Sequence, residues 1–363
     1  MKKSILLGVC LAFSCTHALR DMDLIKKARE SQLEPMPMGK ALKEYQIKKT
    51  RDVGIGTKNS EIMTSAQVEL GKMLYFDPRI STSYLVSCNT CHNLGLGGVD
   101  LVPSAIGSQW KKNPHLLSSP TVYNSVFNDL SSPTVYNSVF NDVQFWDGRV
   151  THLNEQAQGP IQSSFEMGAD PKVVVEKINS MPGYVKLFRK AYGSRVKIDF
   201  KLIADSIAMF EATLITPSRY DDFLRGNPKA LSKAEKEGLD LFISKGCVAC
   251  HNGINLGGTM QPFGVIKPYK FANVGDFKGD KNGLVKVPTL RNITETMPYF
   301  HNGQFWDVKD AIKEMGSIQL GIEISDEEAK KIETFFGALR GKKPKIIYPE
   351  LPIMTDKTPK PSF

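Results

Sequence analysis

Outside two short motifs and the first fifteen residues, this 363-residue chain has no cysteine. Cys10 and Cys15 lie in the opening segment; Cys88, Cys91, Cys247 and Cys250 make up the rest. No stray thiol is left for a disulfide framework, the usual employment of cysteine in an oxidising compartment. Histidine is sparse too: His17, His92, His115, His152, His251 and His301 are the whole supply. Beyond the first residues there is no long apolar run, which excludes a transmembrane helix in the body of the chain. No nucleic-acid motif is present, so the net charge of +9 reads as solvated Lys-rich ends, such as Lys342-Lys343-Pro344-Lys345, rather than a polyanion footprint. A hydrophobic content of 41% with 23% charged residues is that of a folded globular protein, not a disordered one.

The opening segment carries an address. Lys2 and Lys3 precede an apolar run from Ile5 to Phe13, closed by Thr16-His17-Ala18. The run is too short to span a bilayer and has the plan of a secretory signal, with cleavage expected near Ala18 and a periplasmic destination. A lipoprotein cut before Cys15 is disfavoured, because Ala12-Phe13-Ser14 is a poor lipobox.

The remaining chain is long enough for two to three domains, and it repeats one plan. The first half reads Cys88-Asn-Thr-Cys91-His92, then Pro133-Thr134-x-x-Asn137, then Gln144-Phe145-Trp146-Asp147. The second reads Cys247-Val-Ala-Cys250-His251, then Pro288-Thr289-x-x-Asn292, then Gln304-Phe305-Trp306-Asp307. Three landmarks recurring in one order indicate two units of common origin. Capping patterns predict helices ahead of each motif, from Ser65 and from Ser232 to about Ile243, and a closing helix from Ser325 that puts Ile332, Phe335, Phe336 and Leu339 on one face. Helices are also predicted over 170–193 and from Asp199 to about Thr213. A second, unchanged repeat, 118–129 against 131–142, has no architectural period and falls in a loop region.

Cys-x-x-Cys-His attaches haem: the cysteines form thioethers and the histidine reaches the iron. Four thiolates on zinc are the competing reading, but zinc ribbons separate their pairs by about 15–20 residues, far less than here. A disulfide within each motif is the other. Sixth ligands are harder to choose from position alone. Met260, Met297 and Met315 all remain open, since most methionines simply pack a core.

Taken together, Ser87 to Gly98, Gln144-Phe-Trp-Asp-Gly-Arg149, Gln158-Gly-Pro-Ile-Gln162 with Glu166-Met-Gly168, Pro288-Thr-Leu-Arg-Asn292, Pro298-Tyr-Phe-His301 and Glu314-Met-Gly316 resemble the bacterial di-haem cytochrome c peroxidases. The resemblance covers roughly 60–344. It implies a mainly α fold of two tandem cytochrome c-like domains, each with one covalently bound haem c. The expected division is a signal peptide (1–18), an N-terminal extension (19–59), a peroxidatic domain (60–228, containing the 118–143 duplication), an electron-transfer domain (229–345) and a tail (346–363).

Carried over residue by residue, the resemblance makes His92 proximal to the peroxidatic iron and His251 proximal to the electron-transfer iron, with Met315 as sixth ligand of the second. It makes Glu166 and Gln156 the acid–base and orienting pair, and Trp146 the residue between the haems. Trp306 reads as core packing. Backbone carbonyls of Thr296 and Pro298 are the implied calcium ligands, and a homodimer is the implied assembly. The implied activity is reduction of hydrogen peroxide with electrons from a small reduced c-type cytochrome. The alternative is a non-enzymatic di-haem electron carrier, or a peroxidase-like protein with an impaired distal loop.

One departure stands out. The family has a histidine before a tryptophan where this chain reads Ser108-Gln109-Trp110, and Ser118 or Ser131 replaces an expected calcium-binding asparagine. The expectation is a first iron that is open without reductive activation. His115 taking over as ligand, or a damaged loop, are the alternatives. The relative that oxidises a protein-bound tryptophan precursor also has an open iron, but it has tyrosine at the Met315 position, so Met315 argues against that activity.

Overall fold

The computed structural model describes residues 20–50, 63–102, 107–108, 133–274 and 277–363. The signal segment, His115, Trp110, Ser118, Ser131 and the first copy of the duplication lie outside them.

The described chain is mainly helical. Helix α1 (20–30) and α2 (Gly39–Thr50) precede α3 (Ser65–Phe76), α4 (Cys88–Cys91), α5 (Leu153–Gln162), α6 (Pro171–Ser180), α7 (Pro182–Tyr192) and α8 (Phe200–Glu211). Then follow α9 (Arg219–Leu224), α10 (Lys233–Ser244), α11 (Val308–Met315) and α12 (Asp326–Ala338). Among the described residues the one sheet is an antiparallel pair, β1 (Met260–Pro262) with β2 (Leu284–Lys286), in the register Met260↔Lys286. No described helix is long and apolar enough to cross a membrane.

The capping patterns at Ser232 and Ser325 form as expected, each serine accepting from the backbone three residues on. At α3 the cap moves back to Thr64, because Gln67 is placed to return its side chain to the Thr64 N–H at 2.9 Å. The single helix expected over 170–193 is two, broken at Met181. Pro182 pushes Met181 into extended backbone and starts α7 afresh.

Two helix pairs organise the two halves. Helix α3 crosses α8 at Gly71, where a Cβ would stand 1.9 Å from the Ser206 carbonyl oxygen; α10 crosses α12 at Gly238, where it would stand 2.1 Å from the Lys331 carbonyl oxygen. Only glycine permits backbones so close. Each pair heads its own apolar cluster, one including Leu70, Tyr75, Ile207 and Phe210, the other Leu239, Phe242, Ile332 and Phe335.

The repeated asparagines meet. Asn137 and Asn292 both adopt left-handed backbone (φ 63° and 60°), a conformation asparagine tolerates. Their N–H groups donate to Leu214 and Leu339 carbonyls, just past the closing helices. Both side-chain amides donate to one hydroxyl, Thr216 Oγ1, at 2.8 and 2.9 Å. Thr216 is therefore one tie between the two halves, alongside Arg291 on Asp221 and Asn255 on Asn141.

The two ends of the described chain cross over. The segment 20–36 packs on the second half through Ile25, Ala28 and Leu33, with Leu33 bridged to Gly253. The tail packs on the first half rather than lying solvated as expected. Arg79 Nη1 donates to the Pro352 carbonyl at 2.6 Å, Ser180 and Thr358 hydroxyls bond at 2.8 Å, and the Ser362 N–H reaches the Thr82 carbonyl at 3.0 Å. Proline-spaced polar tails lack the periodicity that would betray such docking.

Candidate functional site

At the second motif, Gly246 (φ 87°) turns the chain out of α10 into Cys247. The His251 N–H donates to the Cys247 carbonyl at 3.0 Å, and His251 Nδ1 lies 3.1 Å from the Leu256 carbonyl oxygen. With Nδ1 as the donor, Nε2 keeps its lone pair for a metal. Burial pushes the His251 pKa down to about 4, so the ring is neutral at ordinary pH, as a ligand must be.

Cys247, Cys250, His251 and Met315 open onto one cavity, with Trp146 and Lys286 on its wall and Leu290, Ile312, Ile324 and Phe336 giving it an apolar lining. Met315 ends α11, where the chain passes into a π turn over Gly316–Leu320; such turns recur at functional sites. Gly316 admits the close approach of Ile324, whose Cδ1 would be 2.7 Å from a Cβ there. Position alone left three methionines open; the folded chain puts Met315 and the His251 motif on one cavity, whereas Met260 lies against Gly148. Two thiols, a neutral imidazole and a thioether around an apolar hollow fit a haem.

At the first motif, Tyr75 donates to the His92 carbonyl at 2.7 Å, and the His92 N–H closes on the Cys88 carbonyl at 2.9 Å. Thr134 and Tyr136 donate to the Gly97 and Leu94 carbonyls at 2.7 and 2.9 Å. The second half repeats this with Thr289 to Asn255 at 2.8 Å and Arg291 Nε to Ile254 at 2.7 Å. His92 Nδ1 is buried with no well-formed hydrogen bond. Burial lowers its pKa, and the Gly98 and Pro133 backbone opposes this only in part. A buried ring with an unsatisfied nitrogen fits a site completed by a group from outside the chain.

Burial pushes the Cys91 thiol up to about 12, helped by the Asp100 and Glu166 carboxylates, and Cys247 up to about 11. The four described cysteines are unbridged, and among the described residues no three His, Cys, Asp or Glu side chains converge as a metal cluster.

Glu166 stands in a tight turn after α5, its N–H on the Ser163 carbonyl at 3.0 Å. One carboxyl oxygen, Oε2, is fully buried. The turn is pinned from two sides. The Ser108 N–H donates to the Glu166 carbonyl at 2.6 Å, and the Thr82 N–H to the Met167 carbonyl at 2.8 Å. Gly107 lets this approach happen, since a Cβ there would lie 2.1 Å from the Phe165 carbonyl oxygen. Ser108, at the departure from the family pattern, is itself buried beside the acid. Gln156 lies half-buried one turn into α5.

Trp146 is buried, edge-on to His301 at 6.4 Å between centroids, on the cavity wall of the second motif. Trp306 corrects the reading as core: it is 54% exposed. Its neighbour Phe305 enters the aromatic cluster instead, and the indole faces water. Thr296 and Pro298 reach the same cavity. The nearby Glu295 carboxylate pairs with Lys343 at 2.8 Å and with Arg340. Sequence reasoning missed Thr216, the Tyr136/Arg291 equivalence and Lys286. The second was visible in the aligned Pro-Thr-x-x-Asn repeats; the others have no local signal.

A family model described as di-haem cytochrome c peroxidase matches residues 65–229. The chain is 44% identical over 314 residues to the cytochrome c551 peroxidase of Pseudomonas aeruginosa, covering 83% of this chain and 86% of that one. It is 43% identical over 301 residues to the cytochrome c551 peroxidase of Nitrosomonas europaea, covering 80% and 85%. Among solved structures the fold resembles a MauG-like protein associated with microbial copper homeostasis (TM-score 0.64, 23% identity, 77% of this chain and 91% of that). It also resembles the diheme peroxidase BthA from Burkholderia thailandensis (TM-score 0.57, 17% identity, 82% and 90%). With this identity to curated peroxidases sustained over most of both chains, the protein belongs to the di-haem cytochrome c peroxidase family, and is a haem-containing oxidoreductase of that class.

Proposed function

We propose that the protein reduces hydrogen peroxide outside the cytoplasm, one peroxide consuming two electrons and two protons to give two waters, with electrons arriving singly from a small reduced c-type cytochrome. In this reading 60–228 and 229–345 are tandem cytochrome c-like domains, each with a haem c bound through thioethers, at Cys88 and Cys91 and at Cys247 and Cys250. When bound, the haems supply a peroxide-accepting iron over His92 and an electron store over His251.

The chain's own groups do the rest. Glu166 takes a proton from the nearer peroxide oxygen and gives it to the departing one, and the Gln156 amide orients the substrate. Met315 supplies a thioether that raises the second potential, and Trp146 provides an aromatic path at the boundary of the halves. The observation that carries the reading is the carboxyl of Glu166, partly buried and close enough to Cys91 to act on its thiol. A pure electron carrier has no use for a buried acid there. Thr296 and Pro298 remain proposed calcium ligands through their carbonyls; no step above depends on that ion. A homodimer is part of the same proposal and is checked by sedimentation.

Ser108 has no imidazole to cap an iron, so in this reading the first site would be open before any reduction. The test is peroxide-dependent oxidation of a reduced small cytochrome by fully oxidised enzyme and by enzyme pre-reduced at one haem. Equal rates are expected. Turnover only after pre-reduction would assign a gate to another residue, His115 first. No turnover in either state would leave an electron carrier.

A further inference from the structure

Lys286 closes β2, and its backbone N–H donates to the Trp146 carbonyl at 2.7 Å. Its side chain lines the cavity of Cys247, Cys250, His251 and Met315 and is the one Lys, Arg, Asp or Glu among the lining residues. The residue is 5% exposed. Among the described residues its ammonium has no hydrogen bond or ion pair. The carboxylate acting on it is Asp147, already bound to Arg149 at 2.6 Å, and Arg149 is a second cation acting on the lysine. Two cations therefore share one carboxylate at the edge of an otherwise apolar hollow. Burial without a partner pushes the Lys286 pKa down to about 8. An ammonium left this way is poorly compensated, a deficit that an anion entering through the cavity would relieve.

We propose that Lys286, backed by Arg149, binds a carboxylate on the edge of the haem seated over His251, and so sets both the tilt of that haem and its potential. The inference rests on the reading that this cavity holds a haem. A macrocycle with acidic side chains must bring them to polar groups when its faces are packed in hydrocarbon, and here the cavity wall offers one full charge. A cation beside the haem favours its reduced form, which carries one more negative charge. Lys286 is thus a positioning residue, touching neither peroxide nor iron. Its strand and the paired β1 brace the Trp146 loop, Gly148 lying against Met260 of β1.

The test uses the holoprotein. Lys286→Met and Lys286→Arg are compared with the parent in covalent haem count by intact mass, in midpoint potential of each haem by spectroelectrochemistry, and in the infrared difference band of the haem carboxylates. The expected result is two haems in Lys286→Met, a shifted carboxylate band and a tenfold loss in the reduction equilibrium of the second haem, about 59 mV for one electron. Lys286→Arg and the first haem should stay at parent values. Two haems with an unmoved second potential in Lys286→Met overturn the proposal. If Lys286→Met loses the second haem, Lys286→Gln decides. Loss there too, with retention in Lys286→Arg, supports a need for charge; retention in Lys286→Gln at parent potential, or loss in Lys286→Arg, overturns it. A parent protein lacking the second covalent haem would instead sink the reading of the cavity.

Discussion

The two halves are built to one plan and stabilised differently. Both cross a pair of helices at a glycine, both fold a Pro-Thr-x-x-Asn segment under the haem motif, and both asparagines end on Thr216. The residue before that asparagine separates them. In the first half it is Tyr136, giving one neutral hydrogen bond to Leu94. In the second it is Arg291, fully buried, paired with Asp221 at 2.8 and 3.1 Å while also holding Ile254. The same position thus carries a phenol where the proposed chemistry needs an adaptable pocket and a fixed ion pair where it needs a rigid electron store. The tryptophans diverge likewise, Trp146 buried on the cavity wall of the second motif and Trp306 turned to water.

The largest expected effect tests the chemical half of this contrast. Glu166→Gln should lower peroxide turnover by about 10²–10⁴-fold, while cytochrome-driven reduction of the second haem, followed by stopped-flow absorbance, stays unchanged. Loss of both would mean that the residue serves the fold and not the proton.

Next comes the ion pair. Arg291→Met strands Asp221 in the interior and should cost about 3–5 kcal/mol in denaturant unfolding; Tyr136→Phe should cost about 1 kcal/mol. Equal costs would erase the contrast. Its pH dependence has a definite sign. Burial raises the Asp221 pKa, but Arg291 and the backbone donors at Met36 and Ser218 more than offset that and hold it below 3.8. A carboxyl depressed in the fold contributes stability above its unfolded value, and this is lost as pH falls through the folded value. Acid unfolding curves should therefore steepen below about pH 3.8 in the parent and flatten in Arg291→Met.

The helix crossings should behave alike. Gly71→Ala and Gly238→Ala each force two backbones apart, at about 1–3 kcal/mol; a wide disparity in their unfolding midpoints would break the symmetry of plan. The smallest effect belongs to Trp306→Phe, which should leave turnover within error of the parent. A drop in cytochrome oxidation rate at low salt would give that exposed indole a role in donor docking.

Much of this was legible in one dimension, because the relevant signals are local. Cys-x-x-Cys-His is a spacing along a single turn, and the caps at Ser232 and Ser325 are contacts across three residues. The break at Pro182 is equally local, a proline restricting the residue before it. Trp306 faces solvent where Trp146 is buried, because a tetrapeptide identity does not fix which side of the segment meets water. Position alone leaves Met315 among three methionines, and the family resemblance singles it out; in the fold it lines the same cavity as His251.

What the sequence by itself determined is the pair of Cys-x-x-Cys-His motifs, their order, the twofold plan and the family they imply. These rest on covalent identity and short-range hydrogen bonds. Tertiary structure alone decided that Thr216 joins the halves, that both termini of the described chain dock on the opposite half, and that Lys286 points an unpaired charge into the second cavity. Each depends on groups far apart in the chain, whose meeting is set by the packing of whole helices and leaves no periodic trace in the residues themselves.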